Sequence, residues 1–123
     1  MKKHDSILMV GLMVFSALTS FMFIFYGMNV IMAESPPAWS MTFAYLTAAY
    51  GLANIAILSV AWSSRQSWSG TANKFIALCY LGAFIIDTVN SGFKSGLEII
   101  GILALALVLL ANWLAVKKVV ERA

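Results

Sequence analysis

Long apolar runs that are nearly free of charged residues divide the chain into four segments. They cover about residues 7–33, 41–62, 75–93 and 97–116. A helix needs about 20 residues to cross a hydrocarbon core of roughly 30 Å. The connections are short, and short connections place consecutive helices antiparallel. The pattern predicts an all-α membrane protein, with four transmembrane helices in an antiparallel up-down bundle that forms one domain over residues 1–123.

Polar and helix-breaking residues mark the three predicted connections. Glu34-Ser35-Pro36-Pro37 cannot continue a helix, residues 63–71 form a polar, serine-rich stretch, and Asn90-Ser91-Gly92 with Ser95-Gly96 is typical of a tight turn. The first apolar run has 27 uncharged residues, whereas the apolar core of a signal peptide has about 7 to 15. We therefore expect the first run to be retained as a membrane span.

Composition and the placement of charge agree with a membrane location. Hydrophobic residues make up 62% of the chain and charged residues 11%, which is unlike a soluble domain. With four spans, seven basic residues fall on one side and one on the other, and basic residues near span ends are retained in the cytoplasm. This bias predicts that both termini are cytoplasmic, in a bacterial-type inner membrane, and the scattered charges do not indicate nucleic-acid binding. The seven are Lys2, Lys3, Arg65, Lys74, Lys117, Lys118 and Arg122, and the eighth is Lys94.

Polar residues recur at helical spacing within each span, which predicts an inward-facing polar stripe on every helix because a polar side chain facing lipid is costly. The stripes comprise Ser16, Thr19, Tyr26 and Asn29 in the first span; Thr47, Tyr50 and Asn54 in the second; Asn73, Tyr80, Asp87 and Asn90 in the third; and Glu98 and Asn112 in the fourth.

Small residues predict where helices approach each other closely, since helices in lipid associate through backbone contact. In the fourth span they repeat at intervals of three and four, and in the second they lie on more than one side. The second span is therefore the candidate central helix. The predicted packing residues are Gly101, Ala104, Ala111 and Ala115 in the fourth span, with Val108 in the same seam, and Ala49 and Ala53 in the second.

Asp87 is the residue that costs most to place in a membrane. One interpretation is a carboxylate that exchanges a proton or binds a cation, with Glu98, Tyr80, Asn54 and Asn90 as polar neighbours. The other is a structural group that pairs with Lys94 or with polar side chains to fix helix packing. Glu98 also suits the first turn of a helix, where the helix dipole stabilises an acid. Asn29 is interpreted as an interhelical hydrogen-bond partner.

The counts of reactive residues argue against catalysis. One cysteine and one histidine cannot form a disulfide or a multi-histidine metal site, and the common hydrolase, zinc-protease and phosphate-binding motifs are missing from the sequence. We expect no enzymatic activity, no cofactor and no metal. Cys79, in an apolar stretch, is expected to pack in the core.

Two functions remain open from the sequence. The first is a non-enzymatic inner-membrane protein that acts through helix packing, as an accessory or structural subunit of a membrane complex or as a small oligomeric assembly. A membrane-embedded inhibitor would carry the same features. The alternative is a small homo-oligomeric transporter or channel with proton or cation coupling at Asp87. The expected partners are the lipid bilayer and either a second copy or another membrane protein.

Overall fold

Four long α-helices make up the protein. The structure is a computed structural model that describes residues 3–33, 38–64, 66–92 and 96–121. The helices are α1 (Lys3–Ile31), α2 (Ala38–Ser64), α3 (Trp68–Ser91) and α4 (Leu97–Glu121), of 29, 27, 24 and 25 residues. At about 1.5 Å per residue, even the shortest exceeds the roughly 30 Å of a hydrocarbon core. All four are long and apolar enough to span a membrane, as the sequence predicts.

Helix α3 begins earlier than its apolar run suggests. It starts at Trp68 and not at about Phe75, and α2 continues to Ser64, so the predicted loop over 63–71 is wrong at both of its ends. Ser69 and Asn73 lie inside this extra helical length, and both are fully buried. Hydropathy alone places Ser69 in a loop, because it does not register that the neighbouring helices enclose its polar side chain. Asn73 lies outside that predicted loop and belongs to the predicted polar stripe of the third span.

Helix α3 ends at Ser91, so Asn90 and Ser91 of the predicted turn are helical and Gly92 is the first residue beyond the helix. Gly92 has φ 85°, and its N–H donates to the carbonyl oxygens of Thr88 at 3.0 Å and Val89 at 3.1 Å. Only glycine adopts this backbone conformation readily, so Gly92 stops the helix. The predicted break at residues 34–37, the turn residue Ser95, and the orientation signals Lys2, Arg65, Lys94 and Arg122 lie outside the described residues.

Helix α2 packs against all three other helices, and so does α4, so these contacts do not single out α2 as the central helix. Its closest approach is to α1, at two glycines. A Cβ on Gly27 would lie 2.6 Å from the carbonyl oxygen of Ala44, and a Cβ on Gly51 would lie 2.6 Å from that of Ser20. The two backbones therefore touch at both places, where no side chain fits.

Two groups of buried apolar residues form the core. One joins Met9 of α1 to residues of α2 and α4, and the other is largely aromatic and is described below. Large apolar side chains cover the outer surface; Leu107 of α4, for example, is 67% exposed. The prediction that Cys79 packs in the core is wrong, since its side chain is exposed on the outer face of α3.

Candidate functional site

A chain of buried hydrogen bonds joins α1, α2 and α3. The Asn54 amide donates to the hydroxyls of Ser16 at 2.8 Å and Ser20 at 2.7 Å. Its carbonyl oxygen accepts a hydrogen bond of 2.6 Å from the Asn73 amide. All four side chains are fully buried. Asn54 thus has three protein partners on two other helices.

A second chain joins α4 to α1 and α2. The Asn112 amide donates to the Tyr50 hydroxyl at 3.0 Å, and its carbonyl oxygen accepts from the Thr19 hydroxyl at 3.2 Å. Asn112 is fully buried, and Tyr50 is 4% exposed. The polar stripes of these three helices therefore meet inside the bundle.

Tyr80 of α3 is hydrogen-bonded to Thr47 of α2 inside the bundle. Its hydroxyl and that of Thr47 are 2.9 Å apart, and the Thr47 hydroxyl also lies 2.9 Å from the Phe43 carbonyl oxygen, to which it can donate. If Thr47 donates to this carbonyl oxygen, the Tyr80 hydroxyl donates to Thr47. Either arrangement gives Tyr80 a buried partner on α2.

Aromatic rings fill the centre of the bundle between these hydrogen-bonded chains. The rings of Tyr50 and Tyr80 have centres 4.9 Å apart, and Phe23 of α1 places its edge against both, at 5.2 and 5.5 Å. Phe43 and Phe84 extend the cluster along α2 and α3. Edge contacts of this kind are favourable because the positive ring edge meets the negative ring face.

Two buried polar atoms near the start of α3 have no hydrogen-bond partner among the described residues. They are the Ser69 hydroxyl and the carbonyl oxygen of Asn73, one helical turn apart. Because an unpaired buried polar atom is costly, this turn is where the polar interior is least satisfied.

Asp87 lines a small cavity near the other end of α3. Tyr26 and Val30 of α1 and Phe43 and Ala44 of α2 form its other walls, and its volume is about 140 Å³. Asp87 is half-buried, whereas Tyr26 is 57% exposed. The cavity combines one carboxylate with two aromatic rings, a set that suits a cation.

The remaining predicted polar residues lie apart from the buried chains. Glu98 is half-buried in the first turn of α4, and Asn29 and Asn90 are exposed. Of the residues proposed as polar neighbours of Asp87, Tyr80 is linked to the Asp87 cavity through Phe43, whose ring it contacts at 5.7 Å. Asn54 belongs to the separate chain with Ser16 and Asn73.

The predicted small-residue seam of α4 is divided between the inside and the outside of the bundle. Ala115 is fully buried, and Val108 and Ala111 are half-buried. Ala104 is exposed, and a Cβ on Gly101 would meet nothing within 4 Å. On α2, Ala53 is half-buried and Ala49 is exposed, and both line a groove of about 230 Å³ between α2 and α3.

Sequence reasoning missed three residues that hold α1 against α2: Ser20, Gly27 and Gly51. The available signal is the spacing of small residues, since Ser16 and Ser20 are four apart on α1. Small residues four apart permit close helix contact in lipid.

The hydrogen-bonded chains link side chains of all four helices inside the bundle. In the part of the chain that the structure describes, no group of three or more His, Cys, Asp or Glu side chains is placed to hold a metal ion. Comparisons of the chain with known protein families, with curated proteins and with solved structures find no match.

Proposed function

We propose that this chain is a non-enzymatic integral membrane protein that acts through helix packing. It serves as an accessory or structural subunit of a membrane complex, or as a small assembly of its own copies. The membrane is a bacterial-type inner membrane, and the helices form an up-down bundle with both termini in the cytoplasm.

The observation that carries this proposal is the use of interior polar groups as links between helices. The amides of Asn54 and Asn112 bond to partners on two other helices each, at 2.6 to 3.2 Å. Both hydrogens of the Asn54 amide are donated within the protein, to Ser16 and Ser20. The rings of Tyr50 and Tyr80 pack against each other between these bonds, with centres 4.9 Å apart.

The outer surface of α4 has small residues against which a helix of another chain can pack. Gly101 and Ala104 of α4 present small residues outward, and the space beside Gly101 is open. Helices in lipid associate where small residues let backbones approach, as Gly27 and Gly51 do inside this chain. A helix of another chain fits the same role at Gly101.

Residue contacts and charge support the topology. Gly27, late in α1, lies beside Ala44, early in α2, whereas Ser16, earlier in α1, bonds to Asn54, later in α2. The two helices are therefore antiparallel. Lys117 and Lys118 lie near the end of α4, and the positive-inside rule assigns that end to the cytoplasm.

The test is native mass spectrometry of the tagged chain, extracted gently from its own membrane, with Gly101→Leu compared with Gly11→Leu. Both positions have room for a side chain within the monomer. We expect a stoichiometric assembly whose occupancy falls about tenfold in Gly101→Leu, equivalent to about 1.4 kcal/mol, and is unchanged in Gly11→Leu. A monomer alone, or equal occupancy in both variants, would contradict the proposal.

The Asp87 cavity favours one second candidate, a homo-oligomeric transporter or channel for protons or small cations. A carboxylate beside two aromatic rings near the end of a span is chemistry that such a path uses. In liposomes containing a pH-sensitive dye, Asp87→Asn would abolish flux and leave the oligomer intact, while the exposed control Asn90→Ala would retain flux. Unchanged flux in Asp87→Asn would exclude a coupling role for this carboxylate.

A further inference from the structure

An open cleft runs between α3 and α4 on the outer face of the bundle. Its volume is about 320 Å³. Its walls are apolar apart from one lysine and one indole ring: Lys74, Ala77, Leu78 and Leu81 from α3, and Ala106, Leu109, Leu110 and Trp113 from α4.

Positive charge is concentrated at one end of this cleft. Lys74 lies in the wall, and the Lys117 ammonium lies 5.1 Å from the centre of the Trp113 ring. Both lysines are exposed. The cleft continues from Lys74 towards Leu81, a distance of about 10 Å along a helix, with leucine and alanine on both sides. It therefore has a cationic end beside an aromatic ring and a purely apolar end deeper along the spans.

We propose that this cleft binds an anionic phospholipid. Its phosphate lies between the Lys74 and Lys117 ammonium groups, its glycerol region contacts Trp113, and one acyl chain runs along the leucines of α3 and α4. Basic pockets between membrane helices bind anionic headgroups, and aromatic rings favour this depth. This match favours lipid because one molecule supplies both the anionic group for the lysines and the apolar chain for the leucines of the cleft.

The lysines determine the preference for an anionic lipid. A zwitterionic headgroup carries its own positive charge and gains less from two ammonium groups. A free phosphate ester gains from the lysines and loses the contact with the apolar walls. The ligand therefore needs both a net negative headgroup and an acyl chain.

Quenching of Trp113 fluorescence by brominated acyl chains measures this binding directly. Trp39→Phe, Trp62→Phe and Trp68→Phe leave Trp113 as the single indole of the full-length chain. The protein is reconstituted in phosphatidylcholine vesicles that contain a small fraction of brominated phosphatidylglycerol or brominated phosphatidylcholine. At about fivefold per lysine, equivalent to about 1 kcal/mol, the preference for phosphatidylglycerol approaches about 25-fold. Equal quenching by the two lipids overturns the proposal.

Four variants locate the preference within the cleft. Lys74→Gln with Lys117→Gln removes it. Lys117→Gln alone reduces it about fivefold, whereas Lys118→Gln, which removes the same single charge from the neighbouring residue, keeps it. Lys74→Arg with Lys117→Arg keeps the charge and the preference. Loss of preference in Lys118→Gln equal to that in Lys117→Gln overturns the site, because it shows a general effect of surface charge.

A soluble competitor separates lipid from phosphate. Glycerol phosphate, added in excess, leaves the quenching unchanged if the acyl chain is required. Release of the brominated phosphatidylglycerol by glycerol phosphate overturns the assignment to lipid.

Discussion

Replacing Asn54 by alanine tests whether buried hydrogen bonds hold the helices together. Asn54→Ala removes three bonds of 2.6 to 2.8 Å to Ser16, Ser20 and Asn73. Interhelical hydrogen bonds in membranes contribute about 0.6 kcal/mol on average and at most about 1.7. The expected loss of unfolding free energy is therefore about 2 kcal/mol, with an upper bound of about 5.

The magnitude is measured against matched asparagines. Alanine is a better helix former than asparagine by up to about 0.7 kcal/mol, so the reference is Asn90→Ala at an exposed position. Asn112→Ala removes two bonds, and its expected loss is about 1 kcal/mol. The expected order of destabilisation is Asn54→Ala, then Asn112→Ala, then Asn90→Ala.

Equilibrium unfolding in mixed micelles of a mild detergent and dodecyl sulfate gives these free energies, with helix content followed by circular dichroism. A double-mutant cycle of Asn54→Ala with Ser20→Ala isolates one bond, and its coupling energy is expected near 0.6 kcal/mol, to within about a factor of two. If Asn54→Ala is as stable as Asn90→Ala, the buried chain does not stabilise the bundle and the reasoning fails.

Two further predictions concern packing and topology. Gly27→Ala is expected to destabilise the bundle by about 1 to 3 kcal/mol, because its Cβ would lie 2.6 Å from a backbone oxygen. The control Gly11→Ala, in open space, is expected to be neutral or stabilising. Equal effects of the two changes in the same unfolding assay would refute the close α1–α2 contact. In a Cys79→Ala background, an impermeant maleimide is expected to label Gly96→Cys in intact cells and Gln66→Cys only after permeabilisation; the reverse pattern would refute the orientation.

Residue spacing predicts the polar interior of α2 better than that of α1. In α2, Thr47, Tyr50 and Asn54 all lie buried, as their spacing predicts. They occupy neighbouring turns near the middle of the helix, where every polar side chain meets a neighbouring helix. In α2, therefore, the helical spacing of the polar residues and their location along the helix both predict burial.

In α1 the predicted stripe drifts away from the interior. Residues turn by about 100° each along a helix, so Ser20 and Gly27 lie within about 40° of Ser16, while Asn29 lies about 140° away. Ser16 and Ser20 are buried, and Tyr26 and Asn29 are exposed. A stripe traced from polarity alone followed tyrosine and asparagine past the true interface, since a glycine in the contact carries no polarity to mark it.

The division of α4 has a different origin. Small residues recur along the whole helix, but Ala115 is enclosed and Ala104 is not. The spacing of small residues identifies positions that permit close helix contact. It does not identify which of these positions a neighbouring helix covers. That depends on how the other helices fill the space, which a pattern along one helix does not contain.

The two hydrogen bonds that Asn54 donates to α1 have a consequence for the order in which the helices assemble during synthesis. Ser16 and Ser20 meet Asn54 without any residue of α3 or α4, so the first two helices have a complete contact as soon as they leave the ribosome and enter the bilayer. Asn73 then finds the Asn54 carbonyl already in place. At about 5 to 20 residues per second, α3 is synthesised within seconds of α2. It needs this acceptor because polar side chains in its early turns are costly to expose to lipid. We therefore expect the hairpin of α1 and α2 to form first and α3, the least apolar of the four spans, to pack against it.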